Sequence, residues 1–236
     1  MSNITIAGYR FTELTNLPDL KQKFHRQCSL LAIMGTILLS NEGININLSG
    51  SKDNVNAFKA WLQTQESFSN MRFHQHKVDG IPYQRLKIKI KKEIITFRKP
   101  DVDVSNMRAP SLPPKVLKEW LDEGRDIVLL DTRNDYEVEA GTFVGALDLK
   151  LKHFGELPDA VAPLDREKTI VMFCTGGIRC EKAALHMQHQ GFSSVYQLDG
   201  GILGYFSEVG GAHYQGGCFV FDERVVVASD QQAANF

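Results

Sequence analysis

Three short apolar runs in the second half of the chain, IVLLDTR (127–133), KTIVMFC (168–174) and SVYQLDGG (194–201), alternate with segments of helical period. Runs of this length, rich in Val, Ile and Leu, read as strands buried on both faces. Before and between them lie two helical patterns. KVLKEWLDEG (115–124) is closed by Gly124, and CEKAALHMQHQ (180–190) sets Cys180, Ala183, Ala184 and Met187 on one face before Gly191. Strands joined through helices run parallel, and such a sheet collects ligands at the carboxyl ends of its strands. This half is therefore limited to an α/β domain with its chemistry at one rim of the sheet.

Cys174 stands at that rim, between an apolar strand and the start of a helix, and is the candidate catalytic residue. The loop that follows is Thr175, Gly176, Gly177, Ile178 and Arg179. Glycines allow successive amides to converge on one centre, the helix N-terminus adds partial positive charge, and Arg179 adds a full one. Each favours thiolate over thiol. Cysteine phosphatases use a related cradle with five residues between Cys and Arg; here there are four, and Cys180 occupies the later position. The shorter loop suits a smaller group, such as the outer sulfur of a persulfide on Cys174. Asp131 and Arg133 end the first strand, where two readings stand side by side: support for the loop or substrate, and a structural ion pair. Cys180 reads as a packing residue or a resolving thiol.

The first half has a different pattern. YRFTEL (9–14) reads as a strand, LPDLKQKFHRQCSLL (17–31) as a helix, AIMGTILLS (32–40) and ININ (44–47) as strands around an NEG turn. Asp53 reads as the cap of a helix through Trp61, with Val55, Phe58 and Trp61 on one face. MRFHQH (71–76) and RLKIKIKKEIITF (85–97) read as further strands. The β-α-β-β-α-β order is that of the ferredoxin-like fold.

Charge separates the halves. Residues 1–100 hold 15 Lys/Arg and 7 Asp/Glu, whereas residues 101–236 hold 12 and 21. In the basic half, strand period puts Arg85, Lys87, Lys89 and Lys91 on one face, a cationic line roughly 20 Å long. It reads either as a track for a nucleic-acid backbone or as lysines guarding a sheet edge. Glu42 and Asn45, in the EGIN turn (42–45), read as RNA contacts or, with Asn41 and Gly43, as shapers of a hairpin. KPDVDVSNMRAPSLPP (99–114), with four prolines, reads as an extended linker. The expected division is a basic domain over 1–99, a linker over 100–114, a catalytic domain over 115–212 and a C-terminal segment over 213–236.

These motifs resemble two nested families. LLDTRNDYEVEAGTFVGALDL (129–149), CTGGIR (174–179) and LDGGILGY (198–205) resemble the rhodanese family, with Thr142 where His is usual and Tyr205 where Trp is usual. GTILLSNEGININLSG (35–50), RLKIKIKKEIITF (85–97), FCTGGIRCEKAA (173–184) and GGCFVFDERVVV (216–227) resemble the tRNA uridine hydroxylase family over nearly the whole chain. The resemblance implies an acylphosphatase-like (ferredoxin-like) α+β domain followed by a rhodanese-like parallel α/β domain. It also implies tRNA as partner, oxygen-dependent 5-hydroxylation of the wobble uridine, O2 as co-substrate and Cys174 as the active-site cysteine.

No cofactor pattern is evident in the sequence: neither a Gly-rich dinucleotide fingerprint nor a His/His/carboxylate metal set stands out. His186 and His189 read as surface residues. The competing reading is a sulfurtransferase that takes sulfane sulfur from thiosulfate or a protein persulfide; a third is a non-catalytic RNA-binding protein. No apolar run reaches the roughly 18 residues of a membrane span. The four cysteines have neither disulfide-framework nor zinc spacing, so a cytoplasmic setting is expected.

Overall fold

The computed structural model describes residues 2–99, 102–104, 107–222 and 224–229. The chain divides into two compact units, Met1–Thr96 and Phe97–Phe236. Among the described residues no helix is long and apolar enough to cross a membrane.

The first unit is ferredoxin-like. Its elements are β1 (Asn3–Phe11), α1 (Leu17–Leu30), β2 (Met34–Ser40), β3 (Gly43–Ser51), α2 (Lys52–Gln63), β4 (His74–Val78) and β5 (Leu86–Ile90). The sheet order is β4-β1-β3-β2-β5. The first four strands are antiparallel neighbours, and β5 joins the edge parallel to β2. Pro18 lies in the first turn of α1, where a missing N–H is harmless. Leu17, Phe24 and Cys28 of α1, with Val55, Phe58 and Leu62 of α2, bury against Ile4, Ile6, Ile37 and Ile46 of the sheet.

Several boundaries differ from expectation. The first strand runs over 3–11 rather than 9–14, because its inward positions begin at Ile4 and Ile6. The cap of α2 is Ser51, whose Oγ accepts the Asn54 N–H at 3.3 Å, and not Asp53. β4 begins at His74 rather than Met71, in register with Ala7. β5 stops at Ile90 rather than Phe97: its partner β2 ends at Ser40, and the bond from Lys91 N–H to Leu39 O (2.8 Å) is the last the pairing offers.

The second unit is a parallel α/β domain. Its elements are β6 (Ser111–Leu112), α3 (Pro114–Asp122), β7 (Val128–Asp131), α4 (Asp135–Glu139), β8 (Gly141–Phe143), β9 (Leu147–Asp148), α5 (Leu157–Val161), β10 (Thr169–Phe173), α6 (Ile178–His189), β11 (Ser194–Leu198), α7 (Gly201–Val209), β12 (Tyr214–Gly216), β13 (Cys218–Phe219) and β14 (Val226–Val227). The sheet order is β6-β11-β10-β7-β9, every pair parallel. β10 is central and fully apolar from Ile170 to Phe173, so its carboxyl end delivers Cys174 to the middle of the rim.

The proline-rich stretch is not a free linker at its end. Ser111–Leu112 pair with β11, and Pro114 opens α3, the use that a fixed φ suits best. Residues 100, 101, 105 and 106 of the expected linker lie outside the described residues. Phe97, expected in the first domain, is buried in the second unit with its ring 4.9 Å from that of Phe154. The C-terminal segment is likewise built into this unit: β12 pairs with β8, and Cys218, Val220 and Val227 join the core. Residues 223 and 230–236 of that segment lie outside the described residues.

Candidate active site

Cys174 leaves β10 and the chain turns at once into α6. Gly177 makes that turn with φ +98°, a left-handed value that glycine adopts without strain. The turn aims the Gly177 N–H at Cys174 Sγ, 3.1 Å away. The carbonyls of the loop are bound from behind by the start of α7: Ile202 N–H donates to Cys174 O at 2.9 Å, and Leu203 N–H to Thr175 O at 3.0 Å. The sequence reading missed the residue that permits this contact. Gly201 has φ +61°, and a Cβ there would lie 2.4 Å from Cys174 O and 2.9 Å from Gly177 N. The Gly-Gly of LDGG was legible as a turn, not as the seat of the cysteine loop.

Gly201→Ala is therefore expected to displace the loop, at a cost of about 1–3 kcal/mol. It should also raise the pH at which Cys174 ionises, because the Gly177 amide moves with the loop. Thermal unfolding together with iodoacetamide labelling against pH measures both. Gly191→Ala is the control, since φ is +86° there too but nothing lies within 4 Å.

Cys174 is only 1% exposed. Burial raises the pKa of its thiol, but the Cys180 thiol, the Arg179 charge and the N–H groups of Arg179 and Gly177 lower it more, to about 6. The other cysteines go the opposite way. Burial pushes Cys28 and Cys218 up to about 12, and burial together with the neighbouring Cys174 holds Cys180 well above its ordinary value. Cys180 thus stays a thiol and donates to the Cys174 thiolate; its Sγ also lies 3.7 Å from Thr132 Oγ1. One thiol of four is poised as a nucleophile at neutral pH.

Arg179 does not reach into open space as an anion receptor. Nη1 and Nη2 each donate to Glu137, both at 2.6 Å, and the pair is buried. Glu137 also accepts the Asn134 N–H at 3.1 Å. The sequence reading passed over Glu137; the Asn-x-x-Glu spacing of a helix start was the available signal. Asp131 and Arg133 form an ion pair with no exposed surface, Nη2 to Oδ2 at 2.7 Å. Arg133 Nη2 donates to Gly141 O at 2.6 Å, and the Thr142 hydroxyl donates to Asp131 at 2.8 Å. Of the two readings for this pair, the geometry is that of the structural one, tying β7 to β8. Thr142 has a bond of its own, and Tyr205 fills the core edge-on to Phe143, ring centres 4.8 Å apart.

His189 is exposed as expected, but His186 is buried and meets the Phe97 ring edge-on at 5.7 Å, because α6 is covered on nearly all sides. In the first unit, Arg85, Lys87, Lys89 and Lys91 are all exposed, on or flanking β5. Glu42 and Asn45 hold the chain that follows β5: Ile94 N–H donates to Glu42 Oε1 at 2.7 Å, and Asn45 Nδ2 donates to Ile94 O at 3.4 Å.

Residues 3–94 match the UPF0176 acylphosphatase like domain, and residues 113–208 match the Rhodanese-like domain. A Cupriavidus taiwanensis protein described as a tRNA uridine(34) hydroxylase is 46% identical over 235 residues, covering 96% of this chain and 83% of that one. Proteins of the same description from Bordetella petrii (47%, 95% and 92% covered) and Xanthomonas euvesicatoria pv. vesicatoria (49%, 95% and 94% covered) are similarly close.

Proposed function

The chain belongs to the tRNA uridine(34) hydroxylase family, and from that premise we propose that Cys174 is the nucleophile in an oxygen-dependent 5-hydroxylation of uridine 34, the wobble base of tRNA. The chain is a tRNA-modifying oxidoreductase. The observation that carries the role of Cys174 is the Gly177 N–H aimed at its sulfur, in a loop that lowers this thiol alone. A thiolate adds to C6 of uracil, and C5 becomes electron-rich and reactive towards O2. Reducing O2 to one hydroxyl group and one water takes two further electrons. A small thiol supplies them as two molecules join in a disulfide. Departure of Cys174 from C6 with loss of the C5 proton restores the ring.

A persulfide on Cys174, formed from thiosulfate or a protein persulfide, is the competing chemistry. It would need a free cation to hold the anionic donor, and the Arg179 guanidinium is already bound to Glu137. The deciding experiment incubates purified protein with unmodified tRNA and a small thiol, in air and without oxygen, and digests the RNA for mass spectrometry. 5-Hydroxyuridine in air alone is the expected result. No product in air, with Cys174 gaining 32 Da from thiosulfate, would replace the hydroxylase by a sulfurtransferase. The cytoplasm, where tRNA resides, is the setting this reading requires.

For the RNA itself we assign the phosphate contacts to the exposed edge of the first unit. Lys87 and Lys89 share a sheet face with Thr36 and Leu38, opposite the buried Ile88. On the helix side of the same edge, Lys21, His25 and Arg26 of α1 line an open cleft of about 560 Å³ beside Ile90. Cations on both sides of one strand suit a polyanion better than edge protection alone, which Lys87 and Lys89 would already supply. The double substitution K87E/K89E is expected to weaken tRNA binding for all sequences alike. It should also flatten the dependence of log K on log salt by about 1 per residue. Titrating labelled tRNA at several salt concentrations measures both effects.

A further inference from the structure

Three aromatic rings lead from the cysteine loop to solvent. The Thr175 hydroxyl, one residue from Cys174, donates to Phe219 O at 3.4 Å. The Phe219 ring meets Tyr136 edge-on at 5.2 Å and Phe221 edge-on at 5.3 Å. Tyr136 immediately precedes Glu137, which holds Arg179. Tyr136 is 44% exposed and Phe221 58%, and neither belongs to the core of the unit. Exposed aromatic side chains gathered at one place mark a binding surface more often than a packing defect.

We propose that Tyr136, Phe219 and Phe221 are a stacking platform for unpaired bases of the RNA, next to the uracil that meets Cys174. The inference rests on the hydroxylase reading and adds how the substrate is held. Sγ of Cys174 is buried, so the reacting uracil must leave the stack of its neighbours to reach it. Those neighbours then lose a stacking partner, and aromatic faces replace it whatever the base identity. RNA is the occupant because the rings adjoin the loop that reacts with RNA, and because Tyr136 and Phe221 stand exposed with π faces on which a base can stack, beside the exposed Val225 of the same segment.

The test uses the whole protein and fluorescently labelled unmodified tRNA. F221A is expected to raise Kd by roughly five- to a hundredfold and leave the salt slope unchanged, since no cation is removed. F221L, apolar but without a π face, should behave like F221A. F221W should keep wild-type affinity, and its emission, above the background of Trp61 and Trp120, should be quenched as tRNA is added. Wild-type affinity in F221A, full rescue by F221L, or tryptophan emission indifferent to tRNA would each overturn the proposal. Wild-type protein from the same preparation is assayed for 5-hydroxyuridine. If it makes none, the hydroxylase reading fails; if it makes product while F221A binds normally, only the platform fails.

Discussion

Replacing Cys174 by serine is expected to reduce 5-hydroxyuridine formation by roughly 10³-fold or more while leaving the fold intact. The magnitude follows from the loss of a nucleophile that acts as one unit with the loop around it. A serine hydroxyl fits the space and accepts the Gly177 N–H, but it does not ionise near neutrality. The companion measurement is the rate of iodoacetamide labelling against pH in the wild type. A thiol lowered to about 6 labels at a rate that rises through pH 6 and is level by pH 8. An ordinary cysteine is still gaining there, with a midpoint near 8.5. C174S should remove nearly all labelling at pH 7, because Cys28 and Cys218 are pushed up to about 12 and Cys180 is held well above its ordinary value. Undiminished product from C174S would show that the loop binds substrate without reacting. A labelling midpoint near 8.5 would remove the electrostatic argument for Cys174.

The second large effect is expected at Glu137. Its carboxylate partners a guanidinium that is itself buried, so Glu137→Ala leaves Arg179 charged, dry and unpaired. Such a loss costs about 3–5 kcal/mol, a fall in Tm of roughly 6–20 °C for a domain of this size. Glu137→Gln separates charge from shape. It keeps one acceptor for Arg179 and removes the negative charge that offsets the cation beside Cys174. A less neutralised Arg179 favours thiolate more strongly, so the labelling midpoint should move below 6 in E137Q even as hydroxylation falls through a looser loop. A midpoint that rises would mean that Glu137 acts by holding the Gly177 amide in line rather than by tempering the charge of Arg179.

Both predictions depend on how local and distant information combine in this chain. The parallel sheet of the second unit was legible because its central strands are short, mostly apolar and separated by helical periods. The same pattern located Cys174, since a residue after an apolar run and before a helix stands at the carboxyl end of a strand. The ferredoxin-like order of the first unit was legible for a similar reason, and alternation marked β5 as a strand, but its end was not legible: only the length of β2 set it. The prolines at 113 and 114 were misread because a proline run looks the same whether it spaces two domains or opens a helix; the pairing of Ser111–Leu112 with β11 decides.

Local pattern alone was enough for the two fold classes, the charge division of the chain and the placing of Cys174 at the carboxyl rim of the parallel sheet. These follow from local period, composition and the order of residues in one loop. What surrounds that cysteine came from the packed fold alone. Glu137 lies 42 positions from Arg179, the amides of Ile202 and Leu203 come from a separate helix, and the aromatic rings come from the β13 segment and α4. The difference is one of range. A backbone turn is set by its own few residues, whereas the partner of a buried charge and the seat of a loop are set by whichever segments the packed sheet brings within about 3 Å of it.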